Sequence, residues 1–118
     1  MVHMANATAG KQADVAKYEA ALAGAKAAYH KVFFNSSSRD FGPTQTGNTL
    51  GILASPTVEP GAVSRLLANL KSRGGHISTG GVGSRWILQA LTAANQTAAA
   101  LDLATMTTAP SWFDPAFL

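Results

Sequence analysis

The sequence lacks several features that would narrow its function at once. Its 118 residues contain no cysteine, which excludes disulfides and thiolate metal sites and leaves the redox compartment open. Only 13% of the residues are charged and 47% are hydrophobic, a balance that argues against a disordered chain. No apolar run approaches the roughly 20 residues that a membrane-spanning helix needs. We therefore expect a folded domain that does not enter a membrane.

Basic runs and metal-ligand clusters are also missing. The net charge of +3 comes from nine scattered Lys and Arg residues with no stacking aromatic residues between them, so we expect no nucleic-acid partner. The three histidines, at positions 3, 30 and 76, do not have the spacing of metal ligands. We expect neither a metal nor another cofactor.

Hydrophobic periodicity predicts an all-α fold of about five helices joined as αα-hairpins, over residues 12–34, 44–54, 60–73, 84–94 and 97–108. Pro60 suits a first helical turn, and Gly74 and Gly75 suit a left-handed helix stop. Ser84 is expected to cap the fourth helix, and residues 95–96 to turn the chain into the fifth. Two glycines four apart in the second helix, at positions 47 and 51, predict close approach of another backbone.

The apolar positions also predict which helix faces are buried. In the last helix we expect Leu101 and Ala104 to point inward, with Leu103 as a further candidate. The first helix carries a single apolar stripe at alternating spacings of three and four, which we expect to face the core: Val15, Tyr18, Leu22, Ala25, Tyr29 and Val32.

Domain organisation is simple. We expect a flexible N-terminal tail over residues 1–9 and a single helical domain over residues 10–118. The first four residues, Met-Val-His-Met, resemble a cloning scar, so part of the tail could be vector-derived. Three N-x-S/T sequons, at Asn6, Asn35 and Asn95, are explained either by chance or by glycosylation of a eukaryotic protein.

The stretch GHISTGGVGSRW, residues 75–86, is the candidate ligand-binding loop. It lacks the Lys and Ser/Thr of a phosphate loop and the glycine spacing of a dinucleotide fingerprint. Its imidazole and hydroxyl groups, on His76 and Thr79 among others, suit sugar hydroxyls, and Trp86 or Trp112 could stack on a sugar face. The alternative is a helix connection whose glycines permit tight packing and whose histidine bonds a neighbouring carbonyl.

Carboxylates for catalysis are scarce. Of six acidic residues, only Asp40 and Asp114 are expected in loops, where a catalytic carboxyl is plausible. A further hypothesis is an activity that uses Asp40 or Asp114 together with His76.

Four segments follow a family pattern in order: YEAALAGAKAAYHKVFFN, PTQTGNTLGILAS, GHISTGGVGSRWILQAL and APSW. Within them, residues 45–48, 76–83 and 107–112 occupy the places of three family motifs. The ordered set resembles the C-terminal half of the catalytic domain of the α-L-rhamnosidases, glycoside hydrolase family 78, over about residues 18–112. One departure follows the Pro-Ser-Trp motif, where Phe113 and Asp114 replace the family's Gly-Tyr.

The resemblance implies an (α/α)6 barrel in the complete enzyme and hydrolysis of terminal α-L-rhamnosides with inversion, which needs two carboxyls about 6.5–9.5 Å apart. In the family the acid precedes this region and the base follows Pro-Ser-Trp, and neither has a counterpart in this sequence. We therefore expect no catalytic residue here and no activity from this chain alone. The localisation is open, with secretion expected if the parent is a eukaryotic glycosidase. Together, the chemistry of the loop and the resemblance make Gln45, His76, Thr79, Trp86 and Trp112 the candidate substrate-binding residues.

About five helices cannot close a ring of twelve. We therefore expect either a partial-barrel arc, completed by a missing remainder, or a compact helical bundle. Because an open arc exposes apolar surface, we also expect self-association as a homodimer. Two alternative functions stay open, a stand-alone lectin-like carbohydrate-binding module and a self-associating helical domain without a ligand.

Overall fold

A computed structural model describes residues 11–114, and within this range every regular element is a helix. The expected all-α class is confirmed. The predicted tail over residues 1–9, with its sequon at Asn6, lies outside the described residues. The helices are α1 (Gln12–Phe33), α2 (Gln45–Ala54), α3 (Pro60–Ser72), α4 (Gly80–Ser84), α5 (Ile87–Ala93) and α6 (Thr97–Ala104).

Helix α2 lies at the centre of the fold and packs against α1, α3, α4 and α5, while α6 packs against α5. Thr44 caps α2, its hydroxyl accepting a hydrogen bond from the amide N–H of Gly47 at 3.0 Å. The core combines side chains from α2, α3, α5 and α6 with the ring of Phe41, which lies in the turn between α1 and α2. Its buried residues are Phe41, Ile52, Ala62, Leu66, Leu70, Ile87, Ala90, Leu91, Ala100 and Leu103.

The two glycines of α2 let the preceding turn lie directly on the helix. A Cβ at position 47 would meet the backbone carbonyl oxygen of Phe41, and a Cβ at position 51 would overlap the ring of the same residue. The close backbone approach expected from the Gly47 and Gly51 spacing is therefore present at the first glycine. At the second, the close partner is an aromatic ring, which fills the space where a side chain would otherwise stand.

Two predicted helix ends are confirmed. Gly74 and Gly75 have φ values of 65° and 87°, and the amide N–H of Gly75 donates to the carbonyl of Leu70 at 2.8 Å, which closes the last turn of α3. Asn95 has a φ of 57° and turns the chain from α5 into α6. Both turns depend on backbone conformations that glycine and asparagine adopt more easily than other residues.

Three local predictions are wrong. Ser84 does not cap the fourth helix of the prediction, because residues 80–84 form the separate helix α4 and Trp86 stands at the N-cap of α5. The last helix ends at Ala104 rather than near residue 108, and the hydroxyl of Thr105 bonds back to the carbonyl of Leu101 at 2.9 Å. Leu101 is 63% exposed, and Leu103 is the leucine of α6 that enters the core.

The predicted burial of the α1 stripe is also wrong, since none of its residues is fully buried. Leu22 is 50% exposed and Val32 is 71% exposed, while Val15 and Tyr18 are half-buried. Helix α1 packs against the core near its C-terminal end, through Tyr29. There the ring of Tyr29 lies 5.9 Å from that of Phe41, between centroids. The radius of gyration is 16.4 Å, against about 13 Å for a compact domain of this length. Periodicity identifies an apolar face but not the surface that covers it.

Within residues 11–114, no helix combines the length and the hydropathy required to cross a membrane.

Candidate functional site

The side chain of Gln45 joins α2 to the GHISTGG loop. It is 1% exposed, and both ends of its amide are used. Its Nε2 donates to the carbonyl oxygen of His76 at 3.1 Å, and its Oε1 accepts from the amide N–H of Ser78 at 2.7 Å. Because loop backbone groups that are removed from water need partners, this one side chain fixes the conformation of three consecutive loop residues.

A second hydrogen bond joins α2 to the loop, between the residue after Gln45 and the residue after Ser78. The hydroxyl of Thr46 donates to the carbonyl oxygen of Thr79 at 2.7 Å. Gly83, in the short helix α4, lies against the same two threonines, and a Cβ there would come within 2.5 Å of the Cβ of Thr79. Gly83 therefore allows α4 to lie closely on α2, as the packing alternative for the loop expected, whereas a Cβ at Gly80 or Gly81 would meet nothing within 4 Å.

The imidazole of His76 faces the C-terminal segment. Its Nδ1 lies 3.4 Å from the carbonyl oxygen of Pro110, and its Nε2 lies 3.4 Å from the hydroxyl oxygen of Thr108. A neutral ring with its proton on Nδ1 satisfies both contacts, donating to the carbonyl and accepting from the hydroxyl. Both bonds are long, so the ring is held loosely enough to exchange a partner.

The two tryptophans occupy different places. Trp112 is 37% exposed and follows Pro110 by two residues, so it belongs to the segment that His76 contacts. Trp86 lines a surface pocket of about 270 Å³, together with Leu50, Leu53, Ala54 and Gln89. The guanidinium of Arg85 lies over the Trp86 ring, 5.3 Å from its centroid. The structure thus brings Gln45, His76 and Thr79 together, and Trp86 faces an apolar groove instead.

Two buried hydroxyl groups at the site have no hydrogen-bond partner among the described residues. They are the Oγ1 of Thr79, on the loop, and the Oγ of Ser111, on the C-terminal segment. A buried hydroxyl without a partner costs about 1–3 kcal/mol, so such groups are usually matched by water or a ligand. Thr49 and Ser55, on and after α2, carry two further hydroxyls of this kind.

Asp40 is a structural carboxylate. It is 2% exposed and accepts hydrogen bonds from Nε of Arg65 at 2.8 Å, from the hydroxyl of Ser38 at 2.8 Å and from the amide of Gly42 at 3.0 Å. Burial on its own would raise the pKa of Asp40, but these hydrogen bonds and the charge of Arg65 outweigh burial and lower the pKa. A general acid needs a raised pKa, so Asp40 is unsuited to that role.

Asp114 is buried at the end of the described range and has an interaction partner within the protein. The remaining acidic side chains lie on α1 and α6, or beside α3 at Glu59, whose Oε1 lies 3.1 Å from Nε2 of His30. Among residues 11–114, no group of three or more His, Asp or Glu residues is placed to hold a metal ion.

Sequence reasoning missed Asn48, the last residue of the Gln-Thr-Gly-Asn motif. Its side chain is fully buried and bonds three backbone groups: the N–H of Phe41, the carbonyl of Gly42 and the carbonyl of Thr44. Asparagine in the interior of a helix is unfavourable unless its amide bonds elsewhere. An asparagine at this position of the helix was therefore the signal available in the sequence. In the structure the Asn48 side chain, which projects from α2, fixes the turn that precedes this helix.

The two sequons within the described range are exposed turns. The Oδ1 of Asn35 accepts hydrogen bonds from the amides of Ser37 and Ser38, at 2.9 and 3.2 Å, and so shapes the 35–40 turn. Asn95 is exposed between α5 and α6. Glycosylation at Asn35 or Asn95 stays a prediction.

Three motifs of the resemblance therefore meet at one place: residues 45–48, the loop from His76, and the segment around Thr108 and Pro110. Residues 1–116 match the family model described as the bacterial α-L-rhamnosidase six-hairpin glycosidase domain. The chain belongs to this family. Neither curated proteins nor solved structures give a match. The all-helical architecture of the described residues is consistent with a six-hairpin glycosidase domain, and the resemblance seen in the sequence is confirmed.

Proposed function

We propose that this chain is part of a glycoside hydrolase acting on terminal α-L-rhamnosides, and that it forms one wall of the sugar pocket. The observation that carries the proposal is the junction of the three motifs. Gln45 holds the backbone of the His76 loop, and His76 in turn contacts the segment that carries Trp112. The match to a glycosidase family supports a sugar as the ligand, and the proposal places the sugar contacts at this junction.

Within this site we assign two different roles. Gln45 and Thr79 are buried, and the amide of Gln45 is consumed by loop backbone, so they position the loop. His76 and Trp112 are accessible, and an imidazole and an indole are suited to a sugar hydroxyl and a sugar face. Trp86 is the remaining candidate, and its groove would serve a second, more apolar part of a glycoside.

We further propose that the chain alone does not hydrolyse rhamnosides. The Asp40 carboxylate is buried in an ion pair with Arg65, and the pKa of Asp40 is lowered. An inverting mechanism needs an acid with a raised pKa and a base across a water-sized gap. The hypothesis that Asp40 works with His76 is therefore disfavoured on chemical grounds. Of the two carboxylates named in that hypothesis, Asp114 is the one that remains.

The test uses the purified chain and two readouts. First, turnover of a chromogenic α-L-rhamnoside should equal the background, and turnover abolished by D114N would contradict the proposed inactivity. Second, titration with L-rhamnose to tens of millimolar, followed by amide NMR, should shift signals of the 76–79 loop and the 108–112 segment. The variants H76A and W112A should remove these shifts, and L101A is the control, because Leu101 is an exposed apolar residue on α6 that has no part in the proposed site.

A lectin-like module is the second candidate, and the accessible pair His76 and Trp112 favours it equally. The two are separated by joining the chain to flanking hydrolase sequence that carries the missing carboxyls. Restored turnover supports a glycosidase segment, whereas rhamnose binding without turnover supports a binding module. Silence in the titration removes both sugar-binding proposals.

A further inference from the structure

The exposed face of α1 carries a heptad pattern. Helix α1 has 22 residues and is therefore about 33 Å long, and its apolar residues recur every three and four positions. Val15, Leu22 and Tyr29 occupy the a positions, and Tyr18, Ala25 and Val32 occupy the d positions. Tyr29 is engaged with the core, whereas Leu22 and Ala25 are exposed and Val15 and Tyr18 are half-buried. This stripe of a and d positions, called the seam below, has the spacing that packs against a second helix, and the described residues contain no helix that covers it.

Charges beside this seam indicate what that second helix is. Glu19 and Lys26 are seven residues apart, so both occupy the e position, on the same flank of the stripe. When two helices of this sequence run antiparallel, e positions face e positions. Glu19 of each copy then faces Lys26 of the other, which gives two identical ion pairs about a two-fold axis between Leu22 and Ala23.

The parallel arrangement is disfavoured by the same residues. It would place a g position beside an e position, and so Asp14 of one copy beside Glu19 of the other, two like charges. The opposite flank of the antiparallel pair is mostly alanine, at Ala21 and Ala28, which permits close approach without a charge conflict. Antiparallel pairing also aligns the helix dipoles favourably.

The antiparallel arrangement is compatible with the rest of the fold. The core lies at the C-terminal end of α1, where Tyr29 meets Phe41 and His30 meets Glu59. Two antiparallel copies therefore place their cores at opposite ends of the helix pair. We infer that α1 is a self-association surface, and that the chain forms a two-fold dimer through antiparallel pairing of the Val15, Tyr18, Leu22 and Ala25 stripe.

The experiment measures mass in solution by sedimentation equilibrium across tens to hundreds of micromolar protein. One helix pair is a small interface, so we expect a dimer that dissociates within this range. L22D puts a charge in the centre of the seam and should weaken the dimer on the order of a hundredfold. Circular dichroism must show an unchanged helix content, which is expected because Leu22 is not in the core.

Charge reversal gives the sharper test. E19K alone and K26E alone should each weaken the dimer about tenfold, because each turns two attractions into repulsions. An equimolar mixture of the E19K and K26E chains should regain the dimer, since the mixed pair again has opposite charges on both sides. K31E is the matched control, because it makes the same charge change on the opposite face of α1 and should have no effect.

Three results would overturn the inference. One is a monomer at every concentration. Another is a dimer in which E19K and K26E do not rescue each other. The third is self-association that survives L22D, which would place the second copy elsewhere, for example on the apolar groove between α2 and α5 that Leu53 and Leu88 line.

Discussion

The Nε of Arg65 donates a hydrogen bond to Oδ2 of Asp40 over 2.8 Å, with the carboxylate buried and the guanidinium half exposed. This ion pair connects α3 to the turn between α1 and α2. It lies at the rim of a pocket of about 300 Å³ that Ser38 and Ser64 also line. The pair fixes the position of the turn from which Phe41 enters the core.

The first prediction concerns the pH dependence of this pair. D40N should lower the free energy of unfolding by about 2–3 kcal/mol at pH 7, because Arg65 loses its charged partner and Ser38 and Gly42 lose part of theirs. The folded pKa of Asp40 lies below its unfolded value of about 3.9. Its stabilisation is therefore complete above that value and is lost as the pH falls through the folded pKa.

Urea unfolding at pH 7 and at pH 3 measures the effect, and the difference between D40N and the unmodified chain should shrink at the lower pH. D102N is the matched control, since Asp102 is exposed on α6 and should change stability by less than about 0.5 kcal/mol. An equal difference at both pH values would argue against a carboxylate whose pKa is lowered by the fold.

The second prediction concerns the Gln45 clamp. Q45A removes two hydrogen bonds and leaves the carbonyl of His76 and the amide of Ser78 without their partner. The free energy of unfolding should fall by about 2–4 kcal/mol, from the lost bonds and the cavity together. Amide hydrogen exchange should quicken at Ser78 before it quickens in α3.

Q89A is the control for the second prediction, because Gln89 is exposed on α5 and should leave both readouts unchanged. A Q45A chain with unaltered exchange at Ser78 would mean that the loop holds its shape without the glutamine. The assignment of Gln45 as a positioning residue would then fail, independently of whether the loop binds sugar.

The helices that could be predicted from sequence are those whose signals are local. Pro60 begins α3 and Gly74 ends it as expected, because proline and glycine restrict or free φ regardless of the rest of the chain. The predicted end of α6 lies about four residues too late, because residues 105–109 contain no glycine or proline to mark a stop before Pro110. In the structure the amide and the hydroxyl of Thr105 both bond to the carbonyl of Leu101 at the end of the helix.

The candidate site shows the same division. Motif resemblance grouped Gln45, His76 and the Pro-Ser-Trp segment correctly, since their order in the chain carries information about the fold. It could not distinguish a buried clamp from an exposed contact, because both require a polar residue at that position. The exposure of Leu22 was equally beyond reach, since an apolar stripe has the same period whether it faces its own core or another surface.

The last prediction sets two glycines of the same chain against each other. Both lie inside helices, so replacement by alanine should gain up to about 1 kcal/mol from helix propensity alone. At Gly24, on α1, no atom outside the helix lies within 4 Å of the new Cβ, so G24A should show this gain in full.

At Gly51 the new Cβ overlaps the ring of Phe41, a core side chain that cannot rotate away without opening a void. G51A should therefore destabilise by about 2–3 kcal/mol despite its higher propensity. Urea unfolding of the two variants checks this, and a stabilised G51A would show that α2 and the Phe41 turn are not in the contact described.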